Sequence, residues 1–532
     1  MTVVRMPCMA FGLSEAFLPP DAKLYPVGLV GSWASVQPML GFREGSSAWA
    51  RLSEPPSRRM RFPLALMAKI TGHLIRHKLR RTPRFALVLQ LEPLHACNLA
   101  CTGCGRIREY STSIKDVVPL DRCLAAAAEC DAPMVSICGG EPLIYPQIEQ
   151  LVQGLRRQGR IVYLCTNGLL MRRKLCDYLA AIYQPKFETA LQELLADKLI
   201  SPAQAETIRR GNPEGRPVIR PSQWFYWNVH IDGVEYTHDL MVEREGVFQE
   251  CVQAIKLAKR LGFQVATNTT VYRQTNVEEL EDMFRFFSAL GVDGHTISPG
   301  YDYDAAKQDM LKRLGKDPAE FFLTRALTRQ KFARILDWGD RFPILGTRVY
   351  QEFLAGLREL TCTAWAIPTY NIRGWKAPCY LITDAHYPTY AEMLQKVDWD
   401  RYGVVDGVVR DPRCANCMVH CGYDPSGALG TNYQPGDHWK NLKYTFAPRP
   451  KPCALDPELV RRVFNGASAG RGHTSTSPAP AAKPQLKPNA PLPSVAKAPE
   501  PVGRHVAHPD HTAQATASSV PSNRHGAKPS GA

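Results

Sequence analysis

The stretch LEPLHACNLACTGCG, residues 91–105, decides the fold of this 532-residue chain. It continues an apolar run, FALVLQLE at residues 85–92, that is typical of a buried strand. The stretch places Cys97, Cys101 and Cys104 in C-x3-C-x2-C spacing. Three thiolates from one loop can ligate three irons of a cubane cluster, which leaves the fourth iron open to a substrate. The spacing therefore predicts a 4Fe–4S site at the end of a strand.

Short apolar runs alternate with helical patterns from this loop as far as residue 300. The runs are MVSIC (134–138), IVYLC (161–165), WFYWNVHI (224–231), QVATNTT (264–270) and HTIS (295–298). The helical candidates lie near residues 119–130, 146–158, 246–261 and 276–290. Alternating β and α units predict a parallel sheet. With the first strand there are six units, so residues 85–300 are expected to form a partial (β/α)6 TIM-like barrel.

The rest of the chain divides by composition into segments around this core. Residues 1–60 show no periodicity and are expected to be a disordered or mis-annotated extension. Residues 184–222 predict a helical hairpin inserted before the fourth strand, near enough to the barrel mouth to alter substrate choice. Residues 301–460 predict a C-terminal α+β extension that carries several cysteines. Residues 466–532 hold eleven prolines among Ala, Ser, Lys and His, which predicts a disordered tail.

The net charge of +15 is concentrated outside the core. Residues 61–84 carry seven basic and no acidic residues, and residues 466–532 carry seven basic and two acidic ones. Residues 1–60 add six basic and four acidic residues, so 85–465 is left with about +1 (15 − 7 − 5 − 2). A near-neutral core does not form a nucleic-acid groove. No nucleic-acid partner is therefore expected.

Residues 61–84 contain a basic amphipathic helix, predicted over 62–81. Met67, Ile70, Leu74 and Ile75 recur at helical spacing, and Lys/Arg residues lie off that face. Such a helix either lies on an anionic bilayer or packs on the protein, and the pattern favours neither. The chain has no apolar window long enough to span a membrane and no secretory signal. We therefore expect a cytoplasmic protein, with peripheral contact to the inner face of the membrane if the first alternative holds.

Further candidate site residues follow the second, third and fourth strands. Because parallel strands end at one edge, these residues are expected to lie near the cysteine loop. They are Gly139, Gly140 and Glu141 in CGGEP, Asn167 in CTNG, and His230 and Asp232 in HIDG. The alternative to a cluster is structural zinc, which prefers four protein ligands. His95 is the nearest further ligand, but it lies on the strand side of the loop.

These motifs resemble the radical S-adenosylmethionine (SAM) superfamily. The resemblance implies that SAM occupies the open iron, that the GGEP backbone meets the SAM methionine, and that Asn167, His230 and Asp232 face the same cofactor. Additional strings resemble the adenosyl-hopene transferase family of hopanoid biosynthesis. They are APMVSICGGEPL, VYLCTN, VHIDG, TNTT, GVDG-x2-ISPGY, GW-x2-PCYL, DWD-x-YG and CANCMVHCGY, and they run in order as far as residue 425.

The closer resemblance implies carbon–carbon bond formation between a 5′-deoxyadenosyl radical and the alkene of diploptene, a hopene. Cys165 would then give a hydrogen atom to the resulting carbon radical, although a buried cysteine is more often a small apolar residue. An electron donor such as flavodoxin or ferredoxin is also implied. The 184–222 insertion, the tail, Cys138 and Gly168 depart from the family, which leaves the exact polyprenoid open.

The C-terminal cysteines predict a possible second metal centre. They are Cys362, Cys379, Cys414, Cys417 and Cys421, of which the last three form C-x2-C-x3-C. An auxiliary cluster, a zinc knot and simple packing all remain open for this set. Two other functions compete with the hopene reaction: a radical SAM enzyme with an auxiliary cluster acting on a peptide or another lipid, and a non-catalytic zinc-binding protein.

Overall fold

The computed structural model describes residues 60–182, 187–211, 217–452 and 454–465. The predictions for residues 1–59 and 466–532 lie outside the described residues. The described chain contains one large sheet of nine strands in the order β6-β5-β4-β3-β2-β1-β7-β8-β9.

Six parallel strands form the core in sequence order. They are β1 (Val88–Leu91), β2 (Met134–Ile137), β3 (Ile161–Thr166), β4 (Phe225–His230), β5 (Gln264–Val271) and β6 (Gly294–Pro299). The first helices of the chain are α1 (Leu64–Leu79), α2 (Arg106–Glu109), α3 (Leu120–Cys130), α4 (Ile148–Arg157), α5 (Met171–Ile182), α6 (Phe187–Ala196) and α7 (Pro202–Arg209). They are followed by α8 (Glu235–Met241), α9 (Val247–Arg260) and α10 (Val277–Ala289). The predicted partial barrel is confirmed.

Burial explains why these segments take these forms. β4 is buried at every position except its last, as expected of a parallel strand covered on both faces. On α4, Ile148, Leu151, Val152 and Leu155 are buried, a spacing that places them on one side of a helix. Strand β4 and helix α4 therefore both contribute to the one main core.

Residues 301–460 form the expected α+β extension, and their longer strands continue the barrel sheet. Strand β7 (Thr369–Asn371) pairs parallel to β1, and β8 (Gly374–Pro378) and β9 (Thr383–Tyr387) continue the sheet in antiparallel fashion. Strands β10 (Val404–Val405) and β11 (Val408–Val409) pair antiparallel as a separate two-stranded sheet. The helices of this extension are α11 (Asp304–Asp309), α12 (Arg325–Lys331), α13 (Ile335–Arg341), α14 (Arg348–Leu354), α15 (Tyr390–Lys396), α16 (His420–Leu429), α17 (Asp437–Thr445) and α18 (Pro457–Asn465).

The inserted segment forms the predicted helical hairpin, α6 and α7, but not at the predicted place. A capping box between Ser201 and Gln204 starts α7. Glu193 of α6 forms an ion pair with Arg260, at the C-terminal end of α9 and just before β5 begins. The hairpin therefore lies toward the amino ends of the strands, opposite the barrel mouth, because α5 has already carried the chain back across the sheet. A direct effect of this hairpin on substrate choice is not supported.

Helix α1 crosses the same amino end of the barrel. Leu66 is buried in one cluster with Ile161, Tyr226 and Ala266, which lie in the first half of β3, β4 and β5. His73 is also buried, where it contacts the Ala86 carbonyl oxygen at 2.9 Å through Nε2. Helix α1 therefore packs on the protein through Leu66 and His73, whereas Ile75 of the predicted apolar face is 52% exposed. No helix in the described ranges has both the length and the apolarity that a membrane span requires.

Candidate active site

The cysteine loop, residues 92–105, follows β1, and its backbone forms hydrogen bonds within the loop and with neighbouring elements. The amide of Cys104 donates to the Cys101 carbonyl at 3.2 Å, which closes a turn in the C-x2-C segment. The amide of Thr102 donates to Met241 on α8 at 2.9 Å. On the other side, Gly105 donates its N–H to the Tyr303 hydroxyl at 2.6 Å. These contacts hold the loop at the carboxyl ends of the strands, where it was expected.

The three thiols lie close enough to influence one another electrostatically. Burial raises the pKa of Cys97 to about 12 and also raises those of Cys101 and Cys104. Thiols without a metal would therefore stay protonated at neutral pH, and binding of a cluster must displace those protons. Nearby, the buried amide nitrogen of Asn98 has no hydrogen-bond partner within the described part of the chain. Three converging thiols with an unpaired donor beside them fit a 4Fe–4S cluster with a bound ligand.

The GGEP loop packs directly against the cysteine loop. A Cβ on Gly139 would stand 2.2 Å from the Leu94 oxygen, and one on Gly140 would stand 2.0 Å from the Ala96 oxygen. Gly139 also has φ +111°, a conformation that favours glycine. The amides of Gly140 and Glu141 donate to Leu94 and Ala96 at 3.1 and 2.8 Å. The glycines are therefore required by contact between the two loops as well as by any ligand.

Glu141 and Asn167 connect the loops to one another. The Glu141 carboxylate accepts hydrogen bonds from the amides of Leu143 and Asn167 and from the Thr166 hydroxyl, at 2.7 to 3.0 Å. Burial nevertheless raises the pKa of Glu141 to about 7. Because its carboxylate already accepts three hydrogen bonds from the protein, Glu141 positions the loop after β3 instead of binding the cofactor through its side chain.

The Asn167 side chain, which the resemblance predicts to face SAM, contacts the cysteine loop. Its amide nitrogen donates to Asn98 Oδ1 at 2.7 Å and to the Cys97 sulfur at 3.8 Å. A hydrogen bond to a ligating sulfur is one of the ways in which a protein tunes a cluster. The structure therefore places Asn167 beside the cluster thiols.

His230 and Asp232 form a pair at the end of β4. The distance between His230 Nε2 and Asp232 Oδ2 is 2.8 Å. Burial lowers the pKa of His230, but the adjacent Asp232 carboxylate outweighs it and raises that pKa above its ordinary value. Asp232 also lies within electrostatic range of Cys101 and accepts a hydrogen bond from the Thr270 amide at 2.8 Å. Asp232 thus lies near the cysteine loop, and His230 is held against Asp232.

Cys165 lies in β3, between polar side chains of the two neighbouring strands. Its sulfur is 3.3 Å from the Ser136 hydroxyl of β2 and accepts a hydrogen bond from the Asn228 amide of β4, also at 3.3 Å. Burial raises the pKa of Cys165, which keeps the thiol protonated. Cys138 lies one residue beyond the last β2–β3 register pair, beside Cys165. The oxygen of the Asn228 side chain is buried and unpartnered within the described ranges.

A zinc site with His95 as its fourth ligand is not formed. His95 is fully buried, its ring stacks on Tyr110 with centroids 3.8 Å apart, and its Nε2 lies 3.3 Å from a Glu92 oxygen. These contacts hold the imidazole among protein groups instead of with the three thiols.

Arg106 and Glu92 are site residues that the motif analysis missed. Both are buried, and the Arg106 guanidinium lies 3.4 Å from Glu92 and 2.6 Å from Glu109. It also stacks over the Tyr380 ring at 3.8 Å from its centroid. The sequence contains one indication of this pair: Glu92 is an acidic residue in a predicted buried strand, and Arg106 is a basic residue directly after the cysteine loop. Arg106 joins this loop to the C-terminal extension.

A cavity of about 590 Å³ opens beside these groups, within the range of small-molecule sites. Tyr301, Tyr303, Leu381 and Ile382 form its less polar wall. The charged part is formed by Arg108, Glu109, Asp302, Asp304, Asp309, Lys312 and Arg413. Through the contact of Tyr303 with Gly105, the cavity reaches the residue next to Cys104.

Comparison with known families agrees with this geometry. Residues 91–214 match the model of the radical SAM superfamily. The match supports a radical SAM enzyme. It also supports a 4Fe–4S cluster and SAM as the cofactors, which the three thiols of the cysteine loop fit. Residues 295–441 match a second model, described as a domain of unknown function, DUF3463.

Curated relatives of this chain are enzymes with varied products. The GTP 3′,8-cyclase of Aquifex aeolicus is 22% identical over 296 residues, 52% of this chain and 79% of that enzyme. The AdoMet-dependent heme synthase of Methanosarcina barkeri is 22% identical, and the alignment covers 38% of this chain and 47% of that enzyme. Among solved structures, native anSMEcpe with bound AdoMet and the Cp18Cys peptide has a TM-score of 0.39 at 14% identity, covering 71% and 99% of the two chains. None of these similarities assigns a substrate to this chain.

Proposed function

We propose that this radical SAM enzyme transfers a 5′-deoxyadenosyl group to the terminal alkene of a hopene-type triterpene and thereby forms a carbon–carbon bond. The observation that carries the proposal is the position of Cys165. The Cys165 thiol lies in β3, contacted from both neighbouring strands, at the level of the strand ends that carry the cysteine loop. The ordered strings that resemble adenosyl-hopene transferases support the choice of substrate.

The proposed reaction assigns separate roles to the cluster ligands and to the SAM-binding residues. Cys97, Cys101 and Cys104 would hold the cluster, which together with SAM supplies a 5′-deoxyadenosyl radical. The GGEP backbone and the His230–Asp232 pair would hold the polar groups of SAM. Within the described ranges, no hydrogen bond is donated to the carbonyl oxygens of Gly139 and Gly140, so these oxygens could accept one from an ammonium group.

Cys165 would complete the reaction. Addition of the radical to the alkene forms the new carbon–carbon bond and leaves a tertiary carbon radical. The Cys165 S–H bond breaks, the hydrogen atom forms the new C–H bond, and a sulfur-centred radical remains. One electron from a reduced flavodoxin- or ferredoxin-type carrier and one proton from solvent restore the thiol. The raised pKa of Cys165 favours this role, because a thiolate has no hydrogen atom to give.

The test is a turnover assay with anaerobically reconstituted protein, dithionite, SAM and diploptene in detergent, analysed by mass spectrometry. The wild type is expected to form an adduct of hopene and the adenosyl group. Cys165→Ala should still cleave SAM but lose the saturated adduct. Cys138→Ala removes the neighbouring thiol and serves as the matched control, which should keep the adduct.

Two outcomes would contradict the proposal in different ways. If 5′-deoxyadenosine forms without any adduct, the substrate is a different one. If Cys165→Ala makes the saturated adduct at the wild-type rate, the hydrogen-atom donor is wrong while the transfer reaction stands.

A further inference from the structure

Five cysteines of the C-terminal extension meet at one place, although they come from three separate segments. Cys362 precedes β7, and Cys379 follows β8. Cys414 and Cys417 lie between the β10–β11 hairpin and α16, and Cys421 lies in the first turn of α16. None of the five forms a disulfide. Each of the other four thiols lies within electrostatic range of Cys379. Nothing in the proposed reaction uses this gathering of thiols.

Direct packing contacts confirm the convergence. A Cβ placed on Gly422, in the first turn of α16, would stand 2.6 Å from the Cys362 sulfur. The Ile382 amide donates to the Cys379 sulfur at 3.3 Å. Cys417 and Cys421 belong to one apolar cluster with Tyr301, Ile367, Val419, Tyr380 and Leu381. The thiols therefore converge at a site where Cys414 and Cys421 are buried and the other three cysteines are half-buried.

The C-x2-C part of this set repeats the local structure of the first cysteine loop. The Cys417 amide donates to the Cys414 carbonyl at 3.1 Å, and the Cys104 amide donates to the Cys101 carbonyl at 3.2 Å. Both loops therefore contain the same backbone turn between the two cysteines. Cys421 differs, because it lies within α16 and only 4% of its surface is exposed.

The spacing of the thiols distinguishes between a single ion and a cluster. Zn–S bonds of about 2.3 Å place tetrahedral thiolates about 3.8 Å apart. In the part of the chain that the structure describes, the one set of three ligand atoms within 4.8 Å of one another is His73, His77 and Asp131, which contains no cysteine. No three of the five thiols therefore lie as close to one another as the ligands of one zinc ion. A cubane binds each thiolate through a different iron, which suits a wider spacing.

We propose that Cys362, Cys379, Cys414 and Cys417 hold a second 4Fe–4S cluster with a protein ligand on every iron. Cys421 shields this cluster without binding it. The site belongs to the segment that matches a domain of unknown function, and it gives that segment a role. It is independent of the substrate and of the role assigned to Cys165.

The second site shares a neighbour with the first one, Arg106. The Arg106 guanidinium is within electrostatic range of both Cys104 and Cys379. Tyr301, within electrostatic range of Cys414 and Cys417, and Tyr303, beside the cysteine loop, line the same cavity. The two sets of thiols therefore both lie near one buried charge network.

The experiment uses full-length protein in which Cys97, Cys101 and Cys104 are all replaced with Ala. After anaerobic reconstitution, this variant is expected to retain about four irons and four sulfides per chain, with the Mössbauer spectrum of a 4Fe–4S cluster and no SAM cleavage. Adding Cys417→Ala should remove most of this iron. Adding Cys421→Ser instead should leave the iron content unchanged, which makes it the matched control.

The wild type provides a measurement that does not depend on variants folding. It should contain about eight irons per chain, twice the content of a protein with one cluster. Four irons in the wild type and none in the triple variant would overturn the proposal, as would zinc in place of iron. Equal loss of iron in the Cys421→Ser variant would overturn the choice of ligands. Each of these results leaves the adenosyl-transfer assay unaffected, so the two proposals fail separately.

Discussion

Replacing Arg106 with Met tests the buried charge network that joins the cysteine loop to the C-terminal extension. Glu92 is completely buried, and it forms an ion pair with the Arg106 guanidinium at 3.4 Å. Burial raises the pKa of Glu92, but Arg106 foremost, then His95 and Lys376, lower it from 4.5 to about 2. A change of this size corresponds to about 3 kcal/mol in favour of the charged form. Methionine fills the space of the arginine stem but leaves that charge without its main partner.

We therefore expect Arg106→Met to lose about 3 kcal/mol of stability at pH 7, in line with about 3–5 kcal/mol for breaking a buried pair. With a slope of about 3 kcal/mol per molar urea, the midpoint of unfolding should fall by about 1 M. Because the folded-state pKa of Glu92 is lowered, its contribution is present above pH 4.5 and is lost as the pH falls toward 2. The difference from wild type should consequently shrink below pH 4.5.

The measurement is anaerobic urea unfolding followed by tryptophan fluorescence, with the double variant Arg106→Met/Glu92→Gln as its control. Glutamine keeps the size of the glutamate but removes its charge, so the double variant should recover a large part of the loss. If the single and double variants unfold at the same urea concentration, the loss comes from packing and the electrostatic explanation is wrong.

Three further predictions concern the cluster and the thiol. Cys101→Ala should abolish SAM cleavage, and cleavage retained in an anaerobic 5′-deoxyadenosine assay would contradict the cluster assignment. Gly140→Ala should lower the iron content, because its Cβ would stand 2.0 Å from the backbone of the cysteine loop, whereas Gly72→Ala in open space on α1 should not. Asn228→Ala removes a hydrogen bond to Cys165 worth about 1 kcal/mol, so saturated adduct should form about fivefold more slowly; an unchanged ratio of saturated to diverted products would exclude this positioning role.

The barrel could be predicted closely because its signals are local. Six apolar runs became β1 to β6, and the helical pattern at 246–261 became α9, Val247–Arg260. A buried parallel strand and an amphipathic crossover helix each carry their pattern within about ten residues, so neither depends on knowledge of distant contacts.

The pairing of β1 with β7 could not be predicted in the same way. Gln90 pairs with Thr369, which lies 279 positions later in the chain. No local pattern reports such a distant partner, so the sequence predicted an α+β extension but not the strand with which it pairs. The direction of individual side chains could not be predicted for the same reason. Glu141 and Asn167 follow strands as expected, but the Glu141 side chain contacts the loop after β3 and the Asn167 side chain contacts the cysteine loop.

The most direct test of the central claim is wild-type turnover in D2O, followed by mass spectrometry of the triterpene product. The thiol proton exchanges with solvent, whereas the C5′ hydrogens of SAM do not. If Cys165 gives its hydrogen atom to the carbon radical, the adenosylated product should carry one deuterium at the new C–H position. An adduct without deuterium would contradict the thiol as donor, and the absence of any adduct would contradict the transfer reaction itself.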